Sequence, residues 1–395
     1  MADKINRWRR EDKAAWEALR ARIEEATSGD PKETEAEKTA RIERAREDFG
    51  FFVSYYFPHY ASSESACFHV DLANWVLANP YGKSIVEWFR GAAKSVTTVV
   101  FIPMWLKIQE PRELNTMLVI GHNATMAAKL LGDLQAELEG NQRYIRDFGE
   151  QFKRGSWETG EFTTVDGCNF VSKGLGTSPR GLRSGPNRPD YIVADDLDDD
   201  VMIRNPDRLS DAVKWIDGAL VGTFGSGNRR FILSNNLIGP DCILTRMKDL
   251  KPHWNLSRVP AIIDGKSAWP EEYSMEYWAE RKEDTAYSVW MNEYMLEPTT
   301  VGKIWKQDQI IWIHIPPEDL ERVIAYIDSS YTKGGDHKAV AILGQYKEFY
   351  FHTLKAFIER CALADLVIWC YDYDRWWRLN HPKAPPIEWW IEGNF

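Results

Sequence analysis

The chain has 395 residues, with 49 Lys and Arg against 59 Asp and Glu, and so a formal net charge of -10. That length exceeds what one compact core needs and implies two domains with a small appendage. The acidic balance excludes a surface coated in cationic charge, so any contact with nucleic acid must be local.

Taken in chain order, residues 1–50 are mixed in charge, rich in Ala, Glu and Arg, and interrupted at Gly29 and Pro31. They predict two exposed helices, either an arm for a partner or a solvated lead-in. The aromatic run Phe51-Phe52-Val53-Ser54-Tyr55-Tyr56-Phe57-Pro58 marks the start of a domain core. A strand is predicted from Ser84 to Phe89, then the small-residue loop Arg90-Gly91-Ala92-Ala93, then a helix from Lys94 to Ile108 kinked at Pro103. A strand from Thr116 to Ile120 and a helix from Ala124 to Glu139, stopped at Gly140, come next. After an irregular stretch the chain offers the strand Tyr191-Ile192-Val193-Ala194, a helix from Pro206 to Leu220, the strand Arg230 to Leu233 and a helix from Asp241. Strands alternating with helices imply a mostly parallel sheet covered on both faces, with ligands at the C-terminal strand ends.

Lys94, Gly121-His122-Asn123, Asp195-Asp196 and Ser234-Asn235-Asn236 all fall at such ends. A strand, a tight loop and a helix start aim backbone N–H groups and the positive end of a helix dipole at a phosphate. Arg90, Gly91, Ala92, Ala93, Lys94 and Ser95 would then cradle ATP, with Lys94 on the β and γ phosphates and Ser95 on Mg²⁺. Asp195 supplies a second magnesium-side carboxylate, and Asp196 orients the attacking water. Trp88 and Ala93 stand where the regular P-loop pattern has glycines, so taken alone the segment reads first as an ordinary strand-to-helix turn with an exposed lysine. The order and placement of the two signals favour the nucleotide site. Ser234, Asn235 and Asn236 would sense the γ-phosphate, although turn chemistry also accounts for them; His122 is assigned no role.

The segment from Gly174 to Arg188, rich in glycine and proline, predicts a mobile surface loop carrying Arg180, Arg183 and Arg188. Arginines beside a phosphate site can act in trans on a neighbouring subunit, or simply be solvated. In the last quarter, strands at Arg322 to Ile327, Lys338 to Gly344 and Glu348 to Leu354, a helix from Ala362 to Trp377 and the strand Ile387 to Ile391 give the order of a ribonuclease H-like fold. That order brings Asp328 and Glu392 together, with Asp336 as an auxiliary ligand. Carboxylates so placed repel unless Mg²⁺ or Mn²⁺ lies between them, and such ions activate water against a phosphodiester.

These motifs in this order resemble the large terminase subunit of tailed bacteriophages over residues 50 to 395. The resemblance rests on Arg90 to Ser95 as a deviant Walker A, on Phe68-His69, on Arg204-Asn205-Pro206 after the acidic strand, and on Asn292 to Pro298. It implies an α/β chain: a helical arm (1–50), a P-loop ASCE-type ATPase (51–300), a linker (301–320) and a partial ribonuclease H-like nuclease (321–395). It further implies an ATP-driven motor that moves double-stranded DNA into a procapsid and cuts it, working as a homo-oligomeric ring with portal and small-subunit partners in the host cytoplasm. Leu182-Arg183 matches the family's arginine ahead of the Walker B strand, which makes Arg183 the first choice for the trans finger. The chain departs from the family in having Asp196 where Glu is usual, in an acidic charge balance, and in ending at Phe395 before a third nuclease acid, so that cleavage is expected to be incomplete or lost. A helicase-like or repair ATPase with a nuclease tail, and a non-hydrolysing ring scaffold, are the alternatives. Cys67, Cys168, Cys242, Cys361 and Cys370 form no C-x-x-C pair, which suits a reducing compartment without structural zinc. Neither an apolar signal core at residues 1–10 nor a bilayer-length apolar run is present, so a soluble protein is expected.

Overall fold

Helix-capping residues and short apolar runs set the elements, described for residues 2–29, 33–60, 63–178, 188–199, 201–298, 311–328, 337–347, 350–359 and 361–391 of a computed structural model. The chain divides into two units, Met1–Gln307 and Asp308–Phe395. Among the described residues no helix is long and apolar enough to cross a membrane.

The first unit begins with α1 (Ala2–Ala26) and α2 (Glu35–Glu47). A capping box opens α2: Glu37 N–H donates to Thr34 Oγ1, while the Glu37 carboxylate accepts from Thr34 N–H. Both helices are seated rather than merely solvated. Ile23 and Ala45 are buried, the Trp105 indole donates to Ala45 O at 2.9 Å, and Arg41 is gripped by Glu33 and Asp147. Then come α3 (Phe49–Tyr56), α4 (Cys67–Ala78), β1 (Lys83–Trp88) and α5 (Lys94–Val96), which runs through a π-helical stretch, Thr97–Phe101, into α6 (Ile102–Lys107). Where a kink is expected, at Pro103, the helix carries this widened turn. Pro103 has no N–H to give to Thr98 O, and the buried Tyr191 hydroxyl donates to that carbonyl instead, at 2.7 Å.

The unit continues with β2 (Thr116–Gly121), α7 (Ala124–Gly140), α8 (Gln142–Phe148), β3 (Trp157–Glu158), β4 (Glu161–Thr163), β5 (Asn169–Gly174), β6 (Tyr191–Asp195) and α9 (Pro206–Trp215). It closes with β7 (Arg230–Ser234), α10 (Ile243–Leu250), β8 (Asn255–Val259), the hairpin β9 (Ile262–Ile263) and β10 (Lys266–Ser267), α11 (Met275–Glu283) and α12 (Tyr287–Val289). The large sheet has the order β3-β4-β5-β2-β6-β7-β1-β8. Its pairings are parallel from β5 to β8, and only the β3-β4-β5 margin is antiparallel. This is the mostly parallel, helix-flanked α/β architecture predicted, with β7 interposed between β1 and β6.

Two expectations need correction. The stretch taken as irregular between α8 and β6 holds three strands, because only Phe170 and Val171 in β5 are apolar enough to signal burial and neighbouring strands supply the rest. Gly174, assigned to a mobile loop, is the last residue of β5, and it is glycine for a packing reason: a Cβ there would lie 2.6 Å from Ala124 N.

In the second unit β11 (Arg322–Asp328), β12 (Lys338–Tyr346), β13 (Tyr350–Glu359), α13 (Leu363–Asn380) and β14 (Ile387–Ile391) form a sheet of order β13-β12-β11-β14. The β11-β12 and β12-β13 pairings are antiparallel, and β14 returns parallel beside β11, as predicted. Val323, Ala325 and Ile327 alternate inward and cluster with Leu366 and Trp377 of α13. β13 extends past its predicted end at Leu354 to Glu359, with a register shift opposite Ile342 and Leu343 absorbing the mismatch.

Candidate functional site

The phosphate-loop candidate is built by a change in backbone handedness directly after β1. Gly91 has φ 95°, and a Cβ at that position would come within 2.9 Å of the Tyr273 hydroxyl, so only glycine fits. Ala93 sits in the left-handed region at φ 53° and ψ 30°. This is the position where the regular pattern has glycine, and an L-residue there is strained by roughly 1 kcal/mol.

Neighbouring side chains hold the strained loop. The Tyr273 hydroxyl donates to Gly91 O at 3.0 Å, and Arg90 N–H donates to Glu293 O at 2.8 Å. The buried His69 accepts from Ala66 N–H at Nδ1, 3.0 Å, which leaves the proton on Nε2 to donate to Ala92 O at 3.0 Å. Burial pulls the His69 pKa down to about 4, so the neutral ring keeps both bonds across the physiological range. Sequence patterns assign His69 no role beyond its place in a family-like dipeptide, because its partners are backbone groups, one of them 23 residues away. His69→Phe keeps an aromatic ring, somewhat larger, and removes both bonds. Each orphaned backbone group costs on the order of 1–3 kcal/mol, so the variant is expected to melt several degrees lower and to bind ATP about tenfold more weakly, measured by differential scanning fluorimetry and nucleotide titration.

Lys94 and the acids converge. The Lys94 ammonium is buried and donates to Trp88 O at 2.9 Å and to Asn236 Oδ1 at 2.8 Å; the Asn236 amide in turn donates to Asp196 Oδ1 at 3.3 Å. Burial lowers the Lys94 pKa to about 8, against the pull of Asp195, Asp196 and Glu293. Asp195, at the buried end of β6, has its pKa raised to about 6 by burial, while the Ser95 and Ser234 hydroxyls and the Lys94 ammonium favour its charged form. Asp195 Oδ2 and Ser234 Oγ are buried without a hydrogen bond of ordinary geometry. A carboxylate oxygen left unpaired in the interior beside a serine hydroxyl is a hard, anionic donor set that fits a magnesium ion. Asp196 is exposed, at φ 50°, with its N–H on Ser234 O at 3.0 Å.

Asn235 works on the turn behind these acids. Its Oδ1 accepts from Leu197 N–H and its amide donates to Asp198 Oδ2, both at 2.9 Å, and Asp198 caps α10 through Ile243 N–H at 3.0 Å. Arg90 pairs with Glu293 at 2.9 Å. A cavity of about 210 Å³ adjoins the loop at Gly91 and Ala93, lined among others by Tyr60, Thr97, Phe101, Trp269 and Tyr273, with Ser63 donating to Glu272 at 2.8 Å in its lining.

The other candidates are distributed differently. Arg180 and Arg183 lie outside the described residues, and Arg188 is exposed just before β6. Asp328 ends β11, and the parallel register Ile327 to Ile391 stops one residue short of position 392. Asp336 and Glu392 themselves lie outside the described residues.

No family model and no curated protein matches the sequence. Solved structures with a similar course of chain include the HK97 bacteriophage large terminase, with a TM-score of 0.40 and 14% identity over 88% of this chain and 74% of that one. They also include S. cerevisiae Dbp5 bound to Gle1 and IP6, with a TM-score of 0.34 and 11% identity over 60% of this chain and 54% of that one. The Phi-28 gp11 DNA packaging motor has a TM-score of 0.28 and 10% identity over 82% of this chain and 83% of that one. All three are distant likenesses.

Proposed function

We propose that the first unit is an ATPase and that the chain is a motor acting on double-stranded DNA, of the kind that packages viral genomes, with a metal-dependent nuclease in the second unit. The observation that carries the ATPase reading is the Lys94–Asn236–Asp196 bridge beside the unpaired Asp195 oxygen. A cation for phosphates follows β1, and a carboxylate for a metal and a carboxylate for water stand at the end of β6, with Asn236 after the intervening β7 bridging them, as phosphoryl transfer requires.

Lys94 rests on backbone carbonyls and on Asn236. A triphosphate would draw the ammonium off these acceptors, with the loop N–H groups around Ala92 and Ala93 on the phosphates and the base toward the cavity at Tyr60 and Tyr273. Ser95 and Asp195 would hold Mg²⁺, which would supply positive charge against the phosphates. Asp196, freed from Asn236, accepts the proton of the attacking water, and Asn236 then faces the γ-phosphate position. Arg183, supplied by a neighbouring subunit of a ring, serves as the trans cation. Duplex DNA is held mainly through phosphates, so binding weakens steeply with salt.

The test is ATP hydrolysis with and without duplex DNA. Stimulation by duplex DNA without displacement of an annealed strand supports a translocase; strand displacement would instead make the protein a helicase-like enzyme. ATP binding with no turnover under any condition would make it a scaffold. In the second unit, Asp328 with Glu392 and Asp336 would hold Mg²⁺ or Mn²⁺ for phosphodiester cleavage. Asp328→Ala is expected to reduce Mn²⁺-dependent nicking of plasmid DNA by at least about a hundredfold; wild-type nicking that persists in the variant would remove Asp328 from the site.

A further inference from the structure

His122 follows β2 directly, and β2 lies beside β6 in parallel register, so the imidazole stands next to the turn that leaves Asp195 and Asp196. Its Nδ1 is 3.0 Å from Leu197 O, and since a carbonyl can only accept, Nδ1 carries the proton. Its Nε2 is 3.3 Å from Asp199 Oδ2, while the other Asp199 oxygen accepts from Met202 N–H at 2.7 Å and Val201 N–H at 3.1 Å. The peptide groups of the buried Leu197 are thus held from two sides. Asn235, beyond the end of β7, takes its N–H at 2.9 Å, and His122, beyond the end of β2, takes its carbonyl.

The two anchors differ in what stands behind them. His122 precedes Asn123, the N-cap of α7, whose side chain accepts from Met126 N–H at 3.0 Å. The start of α7 is packed onto strand backbone with no space to slide: a Cβ on Gly121 would lie 2.8 Å from Ala127 N, and one on Gly174 would lie 2.6 Å from Ala124 N. Leu175 N–H donates to Gly121 O at 2.9 Å, so β2, β5 and α7 form one block. Asp196, by contrast, is exposed, and among the described residues its side chain has only the 3.3 Å bond to Asn236. Its position is therefore set by its backbone, held by its own N–H on Ser234 O and by the peptide groups of Leu197 that follow.

We propose that His122 is a positioning residue for the reaction: by holding Leu197 O through its Nδ1–H it fastens the Asp196 turn to the α7 block. This rests on the ATPase reading given above. His122 touches neither the phosphate loop nor Lys94, so its loss should affect turnover and leave nucleotide binding alone. A carboxylate allowed to wander by about 1 Å loses one to two orders of magnitude in rate.

The experiment compares wild type, His122→Ala and His122→Asn, whose amide can replace the Nδ1 donor to Leu197 O but cannot reach Asp199. In His122→Ala, kcat for ATP is expected to fall about tenfold with KM within about twofold of wild type, and His122→Asn is expected to recover most of the loss. Hydrogen exchange at residues 195–202 is measured on the same proteins without nucleotide, and should speed up in His122→Ala and return toward wild type in His122→Asn. A kcat for His122→Ala within twofold of wild type, equal impairment of the two variants, or a raised KM at unchanged kcat would each overturn the proposal. Absence of turnover in wild type would reject the ATPase reading instead. The exchange rates then decide on His122 alone, and unchanged protection in His122→Ala overturns its role.

Discussion

Lys94→Ala is expected to reduce duplex-stimulated ATP hydrolysis by at least about 10²–10³-fold, the usual consequence of removing a fixed charge from a site where negative charge is stabilised. The structure supports an effect of this size because among the described residues no second cation is buried with Lys94: Arg90, the nearest in sequence, is largely exposed and paired with Glu293. The substitution also leaves Trp88 O and Asn236 Oδ1 without their donor, so thermal unfolding must be followed alongside activity. Lys94→Met, which keeps most of the stem in its slot, separates lost charge from lost packing. Turnover within tenfold of wild type in a folded Lys94→Met protein would remove Lys94 from the site. The wild-type protein offers a companion measurement. Its free ammonium has a pKa lowered to about 8 by burial, and a bound triphosphate can only raise it. Proton uptake on binding should therefore appear above pH 8, with affinity weakening as pH rises further. The stability sign agrees. Burying this charge costs the folded state most below pH 8, and the cost fades between about 8 and the ordinary lysine value of 10.5.

Asp195→Asn is expected to abolish magnesium-dependent turnover and, in the absence of nucleotide, to raise the melting temperature. The carboxylate is buried with one oxygen unpaired, and burial lifts its pKa from 3.8 to about 6. A group whose folded pKa is raised stabilises the fold fully below the unfolded value, and that contribution is lost as pH rises through the folded one. At pH 7 the ionised side chain is thus a liability to the empty protein. An amide removes the charge, and its N–H can reach the unpaired Ser234 Oγ. A gain of about 1 kcal/mol corresponds to a rise of roughly 2–4 °C. Acidification from pH 6 toward 4 should stabilise wild type relative to the variant, and magnesium with nucleotide should stabilise wild type alone. A lower melting point for Asp195→Asn at pH 7 would mean that Asp195 is satisfied in a way that leaves no room for a metal. Stability exchanged for a charged, unpaired group is what a functional site predicts and a structural one does not.

The two arginine candidates Arg180 and Arg183, and the nuclease acids Asp336 and Glu392, fall outside the described residues. Their roles rest on order in the chain and on the resemblance. Asp328 is described at the end of β11, whose parallel pairing with β14 ends at Ile327 and Ile391.

By itself the sequence determined whatever short-range chemistry can write. Continuous apolar runs made β1, β2, β6 and β7 buried parallel strands, and the helix starts at Lys94, Ala124 and Pro206 followed from their flanking residues. The C-terminal strand ends therefore named Lys94, Asp195, Asp196 and Asn236 before any contact was known, because a parallel sheet gathers those ends on one edge. Only tertiary structure decided the rest. His69, Tyr273 and Glu293 hold the phosphate loop through backbone partners, and nothing in a side chain's identity announces a bond to a distant carbonyl. β5 and β8 became strands because β2 and β1 offered open ladders, not because their own patterns demanded it. His122 gained its place from strand order: β2 lies next to β6, and that adjacency, fixed by packing across the whole sheet, sets an imidazole against the acidic turn 75 residues later.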